Sequence, residues 1–379
     1  MKNTLKYYLA LWRLSGVGPA MFEKLLQHFQ SIEAVFSATR SDLRHAGCSD
    51  VVIDALLDPN WAQVDEDLAW QSQENCHLIS LCDPRYPRLL REIDNPPLVL
   101  SVRGRLDALS KPQLAMVGSR HPTQVGKENA FAFAKHLSNV FVVNSGFALG
   151  VDAASHLGAL AGSGQTIAVM GAGLNSIYPA RHRDLADEVI ANGALVSEFP
   201  PEVGVRASHF PMRNRIISGM SCGVLVVEAA LRSGSLITAR LALEQGREVF
   251  AMPGSIHNPL ARGCHRLIRE GAKLVESADD IFDELTALCA LDAVSPMPLV
   301  ESGEVSSSLD EEYQQVLSFV EQAVTSVDCL VEQTGMSVAV LSSILLQLEL
   351  QGYVVSVPGG YQCSVKKYQV MPADEKMPQ

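Results

Sequence analysis

The sequence predicts an α/β protein in which a parallel sheet with helices on both faces lies between a small N-terminal helical domain and a C-terminal winged-helix-like module. Between residues 111 and 285, short apolar runs rich in valine and alanine alternate with segments of helix length. This alternation is typical of buried parallel strands joined by helices. At 379 residues and 47% apolar content, the chain is long enough for two or three domains. The flanking segments lack the alternation, so we expect them to form separate modules.

The central domain, residues 111–287, supplies the sheet and its covering helices. Its predicted strands are Gln113–Gly118, Val140–Asn144, Thr166–Gly171, Ala194–Ser197, Gly223–Val227, Glu248–Ala251 and Lys273–Val275. The predicted helices are Thr123–Leu137, Val151–Leu160, Ala180–Asn192, Ser235–Gln245 and Leu260–Arg269. The strands are short and mostly apolar, as expected for strands that are covered on both faces.

Residues 1–75 are predicted to form a small helical domain. Apolar residues recur there at helical spacing on both sides of a break, Ser15–Pro19. The break resembles a helix-hairpin-helix turn, in which backbone N–H groups meet a DNA phosphate, and the alternative is a plain helical hairpin that uses glycine for a tight turn. Residues 76–110 contain several prolines, so we expect an extended connector that leads into a strand, Leu98–Val102.

The C-terminal quarter is predicted to contain a linker (288–309), a folded module (310–365) and a tail (366–379). The module has three predicted helices and a hairpin: Leu309–Ala323, Ser326–Thr334, Val338–Gln351 and Tyr353–Cys363. This order is typical of a winged-helix module, whose third helix reads DNA in the DNA-binding versions. Because the third helix here contains no lysine or arginine, we expect the module to dock to a protein instead.

The net charge of −12 lies mostly in the C-terminal quarter. Residues 1–110 carry a net charge of −3, residues 111–287 carry 16 basic and 16 acidic side chains, and residues 288–379 carry −9. A neutral central domain can still present a basic face to a ligand.

The eight scattered cysteines form no C-x-x-C pair, which favours reduced thiols in a cytoplasmic protein. The absence of a signal peptide or a long apolar run argues against a membrane protein.

Small and polar residues follow most of the predicted strands. In a parallel sheet these loops meet at the carboxyl edge, where ligands bind. The segment Ser233–Ser235 opens a helix with serine and glycine, which leaves backbone N–H groups for an anion. Any one of these loops is compatible with a plain strand-to-helix turn, but five or six on one edge favour a phosphate-binding edge.

The segment Ser208–Gly219 places an aromatic residue, two arginines and an amide within six positions, between two apolar strands. Pro211 is compatible with a helix start. Arg213 and Arg215 are two residues apart, so they cannot share one helical face and must reach different partners. One is expected to face phosphate, and the other phosphate or a carboxylate such as Glu228, and the order of the two stays open.

Catalysis is not expected from the residue patterns. Asp152 and His156 are four apart and share a helical face, which suits either an acid–base pair or an N-terminal aspartate with a polar histidine. Glu228 lies at the end of a buried strand, where its carboxylate suits either a general base or a group that orients a serine or an arginine. No G-x-G-x-x-G, P-loop or metal-ligand spacing occurs, so we expect no nucleotide cofactor and no metal.

Taken together, the motifs closely resemble the DNA-processing protein DprA (Smf) family. The resemblance is dense over roughly residues 80–285 and looser at both ends. It is carried by Met116–Arg120, Ser145–His156, Tyr178-Pro179, Gly193–Pro200, Phe210–Ser218, Val226–Ala229, Ser233–Ala239 and Pro253–Cys264.

The resemblance implies an extended Rossmann-like core that binds single-stranded DNA, loads the recombinase RecA and acts in natural transformation, as a homodimer formed through the core. By motif, the residues expected to contact DNA are Gly118, Ser119, Arg120, Ser145, Gly146, Phe210, Arg213, Asn214, Arg215, Ser233, Gly234 and Ser235. Arginines and backbone N–H groups hold phosphates, and an aromatic ring stacks on a base without choosing the sequence. Two alternatives remain: a nucleotide-processing enzyme resembling nucleoside-monophosphate glycosidases, with Glu228 as its acidic group, and an interaction scaffold that works through the C-terminal module.

Overall fold

A computed structural model describes residues 2–14 and 16–285 and, near the C-terminus, residues 316, 319–320, 325–350, 354–357 and 360–363. The chain divides into two compact units, residues 1–295 and 296–379. The predicted linker (288–309) and tail (366–379) lie outside the described residues.

Nine strands of the first unit form one sheet. They are β1 Cys76–Ser80, β2 Val99–Gly104, β3 Gln113–Val117, β4 Val142–Ser145, β5 Thr166–Val169, β6 Ala194–Ser197, β7 Gly223–Val226, β8 Glu248–Ala251 and β9 Lys273–Leu274. Their spatial order is β1-β2-β6-β5-β4-β3-β7-β8-β9. The seven strands from β3 to β9 pair in parallel. The strand order reverses direction between β3 and β7, which is where open α/β sheets bind their ligands.

Alternating residues along the strands send side chains to opposite faces, and helices cover both faces. In β3, Ala115 and Val117 pack with residues of the helices that follow β6, β7 and β8, whereas Leu114 and Met116 pack with residues of the helices that follow β3 and β4. The helices of this unit are α1 Lys2–Arg13, α2 Pro19–Phe29, α3 Ile32–Ser37, α4 Arg40–His45, α5 Asp50–Leu57, α6 Trp61–Gln71, α7 Arg88–Arg91, α8 Gln124–Leu137, α9 Val151–Ala161, α10 Arg183–Asn192, α11 His209–Gly219, α12 Ser235–Glu244 and α13 Arg262–Arg269. The predicted doubly wound sheet is therefore confirmed.

The segment predicted as a connector, 76–110, contributes two strands to the sheet. β1 pairs antiparallel with β2, and β2 pairs antiparallel with β6, so the segment extends the parallel sheet at one edge. The strand β2 was expected near its observed position, but β1 was not. Its sequence, Cys-His-Leu-Ile-Ser, is too short and too mixed to show the alternation of a strand, and its pairing with β2 supplies the missing constraint.

The N-terminal helices α1–α6 form a bundle that packs on the main sheet. Leu9, Phe22 and Leu25 share a buried cluster with Phe147 and Leu195 of the central region. The break before α2 contains Gly16 at a φ of 91°, a conformation that glycine adopts without strain. The helices are thus part of the first compact unit and pack on the part of the sheet formed by β1, β2, β6 and β5.

In the described part of the second unit the structure shows the helices α14 Val327–Thr334 and α15 Val338–Leu350 and an antiparallel hairpin, β10 Val354–Val357 with β11 Gly360–Cys363. Leu330, Leu341, Leu345 and Val354 form its buried core. These elements match the predicted second and third helices and the hairpin. Most of the predicted first helix, Leu309–Ala323, lies outside the described residues.

Candidate nucleic-acid interface

A cleft opens at the carboxyl ends of β3, β4 and β5, against the first turns of α11. Its walls include residues from four separate parts of the chain: Arg120, Gly146, Gly171, Tyr178, Phe210 and Arg213. The parallel pairing of β3 with β4 and of β4 with β5 brings the three strand ends together. The position agrees with the edge at which the sequence predicted a ligand site.

Arg120 and Phe210 form the outward-facing part of the cleft. The Arg120 side chain is exposed, and its guanidinium carbon lies 5.7 Å from the centre of the Phe210 ring. The ring also lies close to Gly171, where a Cβ atom would come within 3.0 Å of Phe210 Cδ1. Tyr178, which is 51% exposed, places its ring centre 6.0 Å from that of Phe210. A cation and two aromatic rings therefore meet at one surface.

Arg213 lies beneath this surface and is only 4% exposed. Its Nη1 donates a hydrogen bond of 2.6 Å to the carbonyl oxygen of Val169, and its Nε has no partner within the described part of the chain. Burial lowers the pKa of Arg213 to about 10, although the nearby Asp152 carboxylate acts in the opposite direction. The guanidinium packs so closely on Gly146 that a Cβ atom there would lie 2.2 Å from Nη1. A buried cation with unused donor capacity forms the floor of the cleft.

Arg215 points to a different partner. Its two Nη atoms donate to both oxygens of Glu198, at 2.7 and 2.6 Å, and its Nε donates to the carbonyl oxygen of Asn95. Two parallel hydrogen bonds of this kind make a strong and geometrically specific ion pair. Glu198 is therefore the carboxylate that pairs with this arginine. The carboxylate given as an example in the prediction, Glu228, is wrong.

The predicted serines have internal partners. Ser145 is fully buried, and its hydroxyl donates to the carbonyl oxygen of Met116 at 2.6 Å. The N–H of Ser119 donates to the carbonyl oxygen of Glu228 at 2.7 Å. Gly118 lies in close contact with Val151, where a Cβ atom would be 2.7 Å from a methyl carbon. These residues shape the strand ends behind the cleft, and Gly146 is the member of the Ser-Gly turn that lines it.

The remaining predicted residues lie outside the walls of the cleft. Ser233 and Ser235 hydrogen-bond to each other through their hydroxyls, 2.6 Å apart, at the start of α12. Gly234 is exposed between them, and in the described part of the chain no heavy atom outside its immediate chain neighbours lies within 4 Å of the position that a Cβ atom would take. Asn214 is half-buried on α11. Contact of these residues with DNA stays a prediction, as it does for every residue of the predicted set.

Asp152 and His156 are both buried and do not face each other as an acid and a base. Asp152 accepts a hydrogen bond from the N–H of Ala148, and burial raises the pKa of its carboxyl group. The Nδ1 atom of His156 lies 2.7 Å from the hydroxyl oxygen of Thr166, inside the core. Burial lowers the pKa of His156 to about 3, so the ring is neutral at pH 7. Both side chains therefore support the fold beside the cleft.

Glu228 holds the start of α8 at the point where the strand order reverses. Its carboxylate accepts hydrogen bonds from the N–H and the hydroxyl of Thr123, both 2.8 Å long, and from the amide of Asn258. Thr123 in turn caps α8 through Gly126. Three donors occupy the Glu228 carboxylate, which suits a structural role.

Two side chains of the interface were absent from the predicted set. Tyr178 belongs to the Tyr-Pro motif of the family resemblance, and an aromatic residue shortly after the glycine-rich loop 171–173 is the sequence signal that could have identified it. Glu198 follows a predicted strand, but its pairing with Arg215 depends on how α11 packs. Among the described residues, no cluster of three or more potential metal ligands occurs, and no helix is long and apolar enough to cross a membrane.

Comparison with known proteins agrees with this architecture. The chain matches a family model described as DNA recombination-mediator protein A over residues 77–286, and the DprA winged helix domain over residues 301–360. The second match confirms the predicted winged-helix class of the C-terminal module.

Relatives cover most of the chain. It is 45% identical over 301 residues to protein Smf of Escherichia coli (strain K12), which covers 79% of this chain and 80% of the relative. It is 38% identical over 285 residues to DNA processing protein DprA of Streptococcus pneumoniae, which covers 75% and 99%. The X-ray structure of DprA from Streptococcus pneumoniae matches with a TM-score of 0.66 and 36% identity, over 74% of this chain and 97% of that chain. The chain therefore belongs to the DprA (Smf) family of DNA-processing proteins.

Proposed function

We propose that this protein is a single-stranded DNA-binding recombination mediator whose DNA groove is the cleft at the carboxyl ends of β3, β4 and β5. One observation carries the proposal: the exposed Arg120 guanidinium lies beside two aromatic rings, the half-buried Phe210 and the exposed Tyr178, above the buried cation of Arg213. Arginine suits a phosphate, and the rings suit unstacked bases, so the combination fits a single strand of any sequence.

Within this proposal the residues have different tasks. Arg120 contacts phosphate, and Phe210 and Tyr178 stack on bases. Arg213 contributes positive potential from the floor of the cleft, since its guanidinium is almost fully buried. Arg215 holds α11 in place through Glu198. The backbone at Ser233–Ser235 extends the phosphate-binding edge beyond the cleft.

The proposal includes the finer role that the family resemblance implies. The protein protects incoming DNA and loads RecA onto it during natural transformation, as a cytoplasmic homodimer formed through the core. It does so without catalysis, which is supported by the three hydrogen bonds that engage the Glu228 carboxylate. A mediator needs only to bind and present the strand.

The proposal is tested by measuring the affinity for oligo-dT and for duplex DNA at several salt concentrations. We expect tighter binding to the single strand and a steep loss of affinity with salt. Arg120→Ala should weaken binding to all sequences alike. The plot of log K against log salt should also become less steep, by about 0.7 for each phosphate contact that is lost with the Arg120 side chain. Arg105→Ala is the matched control. Arg105 forms an ion pair with Asp107, and it lies at the edge of the sheet opposite the carboxyl ends of the parallel strands.

Equal and weak binding to single-stranded and duplex DNA would contradict the proposed function. An unchanged salt slope in Arg120→Ala would contradict the phosphate role of Arg120. RecA filament assembly on oligo-dT covered with a single-strand-binding protein reports on loading, which should be faster with the wild-type protein than without it. Release of free base from nucleoside monophosphates, lost in Glu228→Gln, would instead support an enzyme.

A further inference from the structure

The segment 198–203, which we call the bridging segment, connects β6 to the chain that enters α11. It lies between the N-terminal helices and the helix that supplies Phe210 and Arg213 to the cleft. Side chains from both neighbours hold it, so it joins two regions that are far apart in sequence.

On one side the bridging segment holds α11. Glu198 forms the two-fold hydrogen bond with Arg215, and both side chains are nearly buried, at 10% and 14% exposure. The Phe199 ring stacks on His209 at 4.0 Å between ring centres, with an angle of 18° between the planes. His209 is the first residue of α11 and directly precedes Phe210, and its Nδ1 lies 3.2 Å from the carbonyl oxygen of Gly171.

On the other side the bridging segment is held by α1. The indole Nε1–H of Trp12 donates a hydrogen bond of 2.7 Å to the carbonyl oxygen of Glu198. The next residue, Arg13, donates to Glu202 at 2.8 Å and to both oxygens of the buried Asp67 at 2.7 Å. Asp67 lies on α6. Arg13 is therefore held by α6 while it contacts Glu202, so that α1 and α6 together hold the Glu202 end of the bridging segment.

The bridging segment has little freedom to absorb a shift between these two anchors. It contains two consecutive prolines, Pro200 and Pro201, whose ring-fixed φ angles limit the backbone. The N–H of Asn175 donates to the carbonyl oxygen of Pro201, and that of Gly173 to Val203. A Cβ atom on Gly173 would lie 2.1 Å from the Pro200 oxygen, so the two loops are in close contact.

From these contacts we infer that Trp12 and Arg13 are positioning residues for the DNA groove, which couple the N-terminal helices to DNA binding through the bridging segment. The inference rests on the proposed function of the cleft. When α1 holds the carbonyl of Glu198 and the carboxylate of Glu202, the Glu198–Arg215 pair and the Phe199–His209 stack keep the first turn of α11 in its binding geometry. Because coupling between sites is reciprocal, DNA in the groove must also act on the environment of Trp12.

The first test measures oligo-dT affinity for two conservative variants. Trp12→Phe removes the Nε1–H donor and keeps an aromatic ring at this partly buried position, and Glu202→Gln removes the charge that Arg13 contacts. We expect each variant to bind about fivefold more weakly, with an unchanged salt slope because the protein still neutralises the same phosphates. Arg44→Ala is the matched control, since Arg44 forms an exposed ion pair with Asp50 within the same helices and does not contact the bridging segment. It should bind as the wild type does.

The second test separates coupling from simple destabilisation. The protein is labelled with 5-fluorotryptophan, and the Trp12 resonance is identified by its absence in Trp12→Phe. Saturating oligo-dT should shift the Trp12 resonance in the wild type, and the shift should be smaller in Glu202→Gln. The resonance of Trp61, whose ring packs on Tyr7 and Phe36, shows how far the effect extends within the N-terminal helices.

The outcomes distinguish the two ideas. If the wild type binds oligo-dT and Arg120→Ala weakens it, but Trp12→Phe and Glu202→Gln bind normally and the Trp12 resonance stays in place, the coupling is wrong and the groove stands. If the wild type shows no preference for oligo-dT, the proposed function itself fails. Weaker binding in both variants together with a shifted Trp12 resonance supports the coupling.

Discussion

Gly146→Ala is the sharpest test of the packing beneath the cleft. A Cβ atom at this position would lie 2.2 Å from Nη1, 2.7 Å from Cζ and 2.8 Å from Nη2 of Arg213. The guanidinium must therefore move, although it is buried and bonded to the carbonyl oxygen of Val169. Overpacking of a well-packed site costs about 1–3 kcal/mol, and a hydrogen bond to a charged group contributes about 1.5–3 kcal/mol.

We expect Gly146→Ala to lower the free energy of unfolding by roughly 2–4 kcal/mol, from the overpacking cost and the weakening of that hydrogen bond. Its affinity for oligo-dT should also fall, because the cation at the floor is displaced. Urea unfolding and fluorescence anisotropy measure the two effects. Gly234→Ala is the matched control: among the described residues, nothing beyond its chain neighbours lies within 4 Å of its Cβ position, and its φ is −61°, so the free energy of unfolding should be unchanged or higher by up to about 1 kcal/mol.

The reasoning would be refuted if Gly146→Ala were as stable as the wild type and bound oligo-dT equally well. That result would mean that the Arg213 guanidinium does not rest against Gly146. A loss of DNA affinity in Gly234→Ala without a loss of stability would show instead that the backbone at Ser233–Ser235 approaches the strand closely, which would support its predicted place on the phosphate edge.

Two further predictions concern stability. Arg215→Ala should lower the free energy of unfolding by about 3 kcal/mol in urea, because it leaves the nearly buried Glu198 carboxylate without its partner; a change of under about 0.5 kcal/mol would show an ordinary surface pair. Burial, with smaller effects from the charges of His182 and Arg213, lowers the pKa of His156 to about 3 from its ordinary 6.5, so below pH 6.5 the unfolded chain binds a proton that the folded chain does not. Stability should therefore fall on acidification, by about 2 kcal/mol between pH 6.5 and about pH 5, and His156→Gln should show a weaker dependence on pH.

Local pattern was enough to predict the main sheet. The strands Ala194–Ser197 and Glu248–Ala251 occur at their predicted bounds, and α9 and α12 begin at their predicted residues. Short apolar runs between helix-length segments leave few other arrangements. The antiparallel edge strand β1 was missed because its pairing with β2 and not its own composition makes it a strand.

For the candidate site, helical spacing alone predicted that Arg213 and Arg215 point to different places. The sequence did not predict which arginine becomes buried, or that Glu198 is the partner of the other. The Glu198 carboxylate reaches Arg215 because β6 ends beside α11 in the folded chain, and competing carboxylates such as Glu228 are engaged elsewhere.

The sequence by itself determined the alternation of strands and helices, the polar loops at one edge of the sheet and the aromatic and basic residues of α11, because these depend on neighbouring residues and on periodicity. Only the tertiary structure decided how those residues are used. Arg120 and Phe210 share a surface, Arg213 lies beneath it, and Trp12 reaches the carbonyl of Glu198 across 186 residues of chain. Such contacts depend on strand order and helix packing, which bring together residues that no local pattern relates.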